Sequence, residues 1–107
     1  MMEKETKNPV DGKVAVIVGG ASGIGKGIAQ DFVSKNARVA IVDKAQDSAE
    51  KLASELNQSF GKGHAISVYC DVMDEETVKS ALGKVVQSFG GIDVLVYSVG
   101  IVKAGSI

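Results

Sequence analysis

A chain of 107 residues holds one small domain, and twelve Lys and Arg against thirteen Asp and Glu leave a net charge of −1. That balance excludes the electrostatic footprint of a nucleic-acid or anionic-lipid binder. The 45% of apolar residues come in short runs, where a transmembrane helix needs about 20 in succession, and the single cysteine excludes a disulfide framework or a Cys-rich metal site. The reduced state of one lone thiol fits a cytoplasmic location.

Met1–Pro9 is polar, mixed in charge and without the apolar stretch of a secretory signal, so it reads as a flexible leader ahead of a domain over residues 10–107. From Lys13 onward two kinds of segment alternate. Val14–Val18, Arg38–Val42, Ala65–Tyr69 and Ile92–Tyr97 are rich in β-branched residues and nearly continuous in apolar character, the pattern of parallel strands covered on both faces. Between the first two, Ile24, Ile28 and Phe32 recur at steps of four and predict a helix buried on that side. A second helix carries Ala45, Ala49, Leu52, Leu56 and Phe60 on one face, and a third carries Val78, Leu82, Val85, Val86 and Phe89. Asp74 can cap the third helix, with Glu75 and Glu76 in its first turn, and Asn36, Gly61 and Gly90 fall where the three helices stop. The order β-α-β-α-β-α-β, with crossovers long enough only for parallel pairing, predicts an α/β doubly wound parallel sheet of strand order 3-2-1-4.

Gly19-Gly20-Ala21-Ser22-Gly23-Ile24-Gly25 directly follows the first strand and opens the first helix. A diphosphate needs main-chain N–H groups aimed at it, no Cβ in the way and a helix N-terminus behind it. In that frame Gly19 permits the tight turn, Gly23 lets the phosphates approach, Gly25 lets the helix pack closely, Ser22 adds a hydroxyl at the mouth, and Ile24 is the adjoining loop residue. Many strand-to-helix turns use glycine for purely structural reasons, and the flanking strand and helix are what favour a binding loop here. The loop lacks the Gly-Lys-Ser/Thr ending that nucleoside triphosphate hydrolysis would require. Asp43 ends the second strand, where a carboxylate can accept from both hydroxyls of an adenosine ribose and repel a 2′-phosphate; a solvated strand-end Asp is the plain alternative. Lys44 beside it would tolerate that extra phosphate and weighs the other way, but the carboxylate carries the reading, and NAD is expected ahead of NADP.

The Gly19-x-x-x-Gly23-x-Gly25 spacing resembles the Thr-Gly-x-x-x-Gly-x-Gly loop of the short-chain dehydrogenase/reductase family, with Val18 in place of the usual Thr. The resemblance extends over essentially all of residues 10–107 and implies a Rossmann-like fold truncated after its fourth strand. It further implies that Asp71 and Val72 meet the adenine ring, although Asp71 alone reads equally well as a turn residue ahead of Asp74. At the end of the fourth strand the family's Asn-Asn-Ala-Gly is replaced by Tyr97-Ser98-Val99-Gly100, which keeps only the glycine beside the cofactor. The run Val94–Ala104 is similar to the matching segment of bacterial sorbitol-6-phosphate 2-dehydrogenases, which implies a phosphorylated polyol as substrate.

Family chemistry rests on a later Ser and a Tyr-x-x-x-Lys pair, with Tyr as general acid/base. Tyr69 and Tyr97 are followed four residues on by Met73 and Ile101, so no residue of this chain is a candidate catalytic acid/base. No metal site is expected either, since His64 is the single histidine and reads as a surface residue at a strand entry. Cys70, lacking a His partner in evidence, reads as an inert buried or half-buried thiol, and Phe32, Phe60 and Phe89 as core residues. The expected function is therefore the cofactor-binding part of an NAD(P)-dependent alcohol/carbonyl oxidoreductase, inactive by itself. The alternative is a non-catalytic adenine-nucleotide-binding or regulatory module. In either case the outer edge of the fourth strand would be unpaired and apolar, which predicts poor solubility, self-association through that edge, or a chain that is part of something longer.

Overall fold

The computed structural model of the chain describes residues 8–98, and the expectations for residues 1–7 and for Gly100 lie outside the described residues. Seven elements alternate along it: β1 (Val14–Val18), α1 (Gly23–Ser34), β2 (Arg38–Asp43), α2 (Gln46–Phe60), β3 (Ala65–Tyr69), α3 (Glu75–Phe89) and β4 (Val94–Tyr97). The strands form one parallel sheet in the order β3-β2-β1-β4, the order expected from the sequence. β2 runs one residue past its apolar stretch and pairs Asp43 with Tyr69. β4 begins at Val94, not at Ile92, because a side chain takes over the ladder before it. Asp93 Oδ2 accepts from the Val14 amide at 2.9 Å while the Asp93 amide donates to the Val14 carbonyl at 2.8 Å.

Period-2 alternation splits the strand side chains into two cores. On one face Ala15, Ile17, Val39 and Ile41 meet Ala29 and Val33 of α1 and Leu52 and Leu56 of α2. On the other, Val14, Val16, Ala40, Val42 and Val68 meet Ala81 and Val85 of α3. Each fully buried Val or Ile among them contributes about 1.5–3 kcal/mol. Cover on both faces therefore holds for β1 and β2 and fails for β4. Its Val94 and Val96 pack toward α1, but α3 lies over β3 and β2, so Leu95 and Tyr97 stay 60% and 64% exposed.

Helix ends follow the sequence, and helix faces are shifted. Asp74 caps α3 by accepting from the Glu76 amide at 3.1 Å, Gly90 closes that helix at φ 88°, and Asn36 takes φ 67° after α1. The buried side of α1 is Gly25, Ala29 and Val33, one residue on from the expected Ile24, Ile28 and Phe32. Small residues let the helix approach closely, so the larger apolar ones flank the contact and Ile24 is 78% exposed. Phe60, expected in the core, is largely exposed at the last residue of α2, and Ala45 precedes that helix in the open. Val86 of α3 is likewise exposed, and the buried residues of that helix are Ala81 and Val85. His64 is half-buried instead of on the surface, its ring nitrogens 3.0 Å from the Gly61 carbonyl and 3.3 Å from Asn36 Oδ1. The Asn57 side chain draws that turn inward by accepting from the His64 and Ala65 amides and donating to the Ala65 carbonyl.

The junction of β1 with α1 is the tightest point in the fold. A Cβ at Gly25 would overlap the Gly19 carbonyl oxygen, because the first turn of α1 sits directly on the loop that leads into it. Gly27, one turn-face away on the same helix, has nothing within 4 Å of a built Cβ. Gly25→Ala is thus expected to destabilise the chain by about 1–3 kcal/mol or more through backbone overlap. Gly27→Ala is expected to stabilise it by about 0.5–1 kcal/mol through helix propensity. Chemical denaturation of both variants measures the contrast, and equal effects would contradict the close packing.

Candidate functional site

After Val18 the chain turns sharply at Gly19, which adopts φ 83° and donates its amide to the Val42 carbonyl at 2.7 Å. Gly20 is buried against Ile17, whose carbonyl oxygen would lie 2.9 Å from a Cβ at this position. Ser22 is extended at φ −153° and occupies the N-cap of α1, yet its side chain makes no capping bond. The first turn of α1 also holds no acidic residue, whereas α3 has Glu75 and Glu76 there and α2 has Asp47. The opening N–H groups of α1 therefore lack an intrahelical acceptor and a compensating side chain, and the positive end of the helix dipole faces outward. Around Gly23 nothing stands within 4 Å of a built Cβ, so this stretch of main chain borders open space. An anion at that point would meet directed donors.

Two carboxylates stand beside the loop. Asp43, the last residue of β2, accepts from the Ala21 amide through Oδ2 at 2.9 Å and from the Ala45 amide through Oδ1 at 2.8 Å. Asp71 follows β3, and its Oδ1 accepts from the Met73 amide at 3.0 Å, so it does form the turn ahead of Asp74. The same side chain also borders the cleft, so the turn and cleft alternatives for Asp71 coexist. Its Oδ2 lies 3.8 Å from Lys44 Nζ. That lysine side chain is 72% exposed, so the pair contributes at most about 1 kcal/mol and leaves Lys44 free to move.

These groups converge on one cleft of about 530 Å³ at the carboxyl ends of the strands, a size typical of small-molecule sites. Gly19, Ser22, Gly23, Ile24, Asp43, Asp71 and Val72 line it, and Gly25 lies beneath the loop as its packing contact. Gly100 lies outside the described residues. Val18, Val42, Lys44, Cys70 and Ser98 complete the lining. Sequence reading passed over most of these as site residues because strand-end valines and a buried thiol carry no motif. Their shared signal is position, since each sits at or beside the end of a strand that points into the crevice. Cys70 is 4% exposed and its sulfur lies 3.9 Å from Thr77 Oγ1, so it forms a wall, not a reactive surface. Among the described residues no three His, Cys, Asp or Glu side chains converge as a metal site, and no helix is long and apolar enough to cross a membrane.

The residues present fit a dinucleotide: a loop with free amides for a diphosphate, a strand-end carboxylate in the same cleft for a ribose, and an apolar wall with a polar edge for a base. Comparison with known proteins agrees. Residues 13–107 match the family model described as short chain dehydrogenase. The chain is 43% identical over 94 residues to D-threitol dehydrogenase of Mycolicibacterium smegmatis, covering 88% of this chain and 35% of that protein. Among solved structures it is similar to L-sorbose reductase from Gluconobacter frateurii complexed with NADPH and L-sorbose, with TM-score 0.81 and 37% identity over 88% of this chain and 35% of that one. It is also similar to sorbitol-6-phosphate 2-dehydrogenase SrlD from Erwinia amylovora, with TM-score 0.80 and 32% identity over 83% and 35%. The chain thus spans about a third of the length of these proteins. A Rossmann-like sheet, a glycine loop opening onto its cleft and a match across nearly every residue place this chain in the short-chain dehydrogenase family of NAD(P)-dependent oxidoreductases.

Proposed function

We propose that the chain is the cofactor-binding part of an NAD-dependent oxidoreductase that interconverts an alcohol and a carbonyl. The observation that carries this reading is the convergence of the glycine loop, Asp43 and Asp71 on a single cleft. The amides of Ser22, Gly23 and Ile24 would hold the diphosphate, Asp43 the adenosine ribose, and Asp71 with Val72 the adenine ring. The nicotinamide dinucleotide supplies hydride acceptance and donation when bound. Gly100 belongs to the same proposed set from its match to the family's glycine. Neither Tyr69 nor Tyr97 has the Lys that would lower a phenol pKa, so this chain supplies binding and orientation, and proton transfer falls to residues outside it. A phosphorylated polyol is the proposed substrate, supported by the likeness of Val94–Ala104 to sorbitol-6-phosphate 2-dehydrogenases and by the structural similarity to one of them.

NAD is proposed over NADP because the Asp43 carboxylate faces the ribose position, where a 2′-phosphate meets like charge. Calorimetric titration of the chain with each cofactor tests this. NAD is expected to bind more tightly, and Asp43→Ala to cost about tenfold in NAD affinity with loss of the preference. Tighter NADP binding by the parent chain, or an unchanged preference in Asp43→Ala, would contradict the assignment.

Self-association through β4 is proposed as well. Among the described residues the outer edge of β4 has no strand partner in the sheet, and an apolar groove of about 260 Å³ lies between it and α3, lined by Val72, Val78, Leu82, Leu95 and Tyr97 among others. An exposed apolar edge of this kind templates pairing with another chain. Sedimentation velocity is expected to show dimers or larger species that grow with concentration, and Leu95→Lys to shift them toward monomer. A dispersed monomer at high concentration would contradict the edge pairing.

A further inference from the structure

We propose that Asp43 is also a positioning residue for the diphosphate loop: its carboxylate ties the loop to the β2–α2 turn and holds it in the conformation that presents the Ser22, Gly23 and Ile24 amides. This role deepens the dinucleotide reading above and rests on it. Asp43 Oδ2 accepts from the Ala21 amide at 2.9 Å, a bond between residues 22 apart in sequence, while Oδ1 accepts from the Ala45 amide at 2.8 Å. Ala21 is 6% exposed, so removing the carboxylate takes away the acceptor that holds its N–H inside the fold. Other ties on the loop are few. The Gly19 amide reaches the Val42 carbonyl and the Lys26 amide reaches the Ser22 carbonyl, but Ser22 makes no side-chain cap and Val18 offers no hydroxyl.

The geometry sorts the donors of the loop. The Ala21 amide is spent on Asp43, behind the cleft, and the amides that follow it stay free for a ligand. Each carboxylate oxygen has a second lone-pair direction, so ribose hydroxyls can bind without displacing either amide. One side chain would then serve both ends of an adenosine diphosphate: directly at the ribose, and through the loop at the phosphates. The two amide dipoles also offset part of the negative charge that Asp43 places near an anionic ligand.

The test separates the two roles by using a nucleotide without ribose hydroxyls. ADP and 2′,3′-dideoxyadenosine 5′-diphosphate are titrated into the 107-residue chain and into Asp43→Ala. If Asp43 also positions the loop, the substitution weakens the dideoxy nucleotide about three- to tenfold, and ADP by more. If it acts on the ribose alone, the dideoxy nucleotide binds both proteins equally, which overturns the proposal. Amide hydrogen exchange in the ligand-free chain reports the tie independently. The Ala21 amide is expected to exchange at least about tenfold faster in Asp43→Ala, with the β1–β2 ladder amides unchanged as the check on folding. Asp43→Asn, which keeps the shape and a single acceptor oxygen, is expected to release one of the Ala21 and Ala45 amides and keep the other. Equal Ala21 exchange in all three proteins overturns the tie. Failure of both nucleotides to bind, with Ala21 protected in the parent chain, instead removes the dinucleotide reading and with it the positioning role.

Discussion

The contact on which the site depends is the one between Gly25 and the Gly19 carbonyl, where two backbones meet with no room for a Cβ. Because α1 begins on top of the loop that feeds it, the loop is held close to the sheet, and Ser22, Gly23 and Ile24 line the cleft. The neighbouring strand completes the arrangement. The Gly19 amide bonds to Val42, and Asp43, one residue further, bonds back to Ala21. Sheet register therefore sets the distance between the glycine loop and the Asp43 carboxylate, with Val18 opposite Val42.

The same topology that builds the cleft leaves one flank unfinished. The two helices that follow β1 and β2 cover one face of the sheet, and α3, crossing back over the other, packs on β3 and β2 and meets Val14 and Val16 of β1 but does not cover Leu95 and Tyr97 of β4. β4 is thereby anchored by its register with β1 and by the paired Asp93–Val14 bonds, with Leu95 and Tyr97 left without cover. The proposed cofactor cleft lies on the well-covered half of the sheet, and the edge proposed for association lies on the bare half. The two properties are physically separable in this chain.

Strand order, helix number and the existence of the glycine loop were legible in the sequence, because apolar runs, helical spacing and capping residues such as Asp74 and Gly90 agree with one another. The faces of the helices were less so. Hydrophobic spacing selects Ile24, Ile28 and Phe32, but contact distance selects Gly25, Ala29 and Val33, which are small enough to touch. Asp43 was readable as a site residue from its place at a strand end, and Asp71 only through the family resemblance, since alone it read equally well as a turn residue. Their hydrogen bonds to the Ala21, Ala45 and Met73 amides were not, since these depend on loop geometry that no spacing encodes. Cys70 was readable as a buried thiol and not as a cleft wall, for the same reason.

Backbone amide chemical shifts followed while NAD is added to the isotope-labelled chain examine the central claim most directly. The account predicts that the largest changes fall on the Ser22, Gly23 and Ile24 amides, with companions at Asp43, Asp71 and Val72 around the same opening. Changes confined to the outer surfaces of α2 and α3, with the loop amides unmoved at saturating NAD, would contradict it.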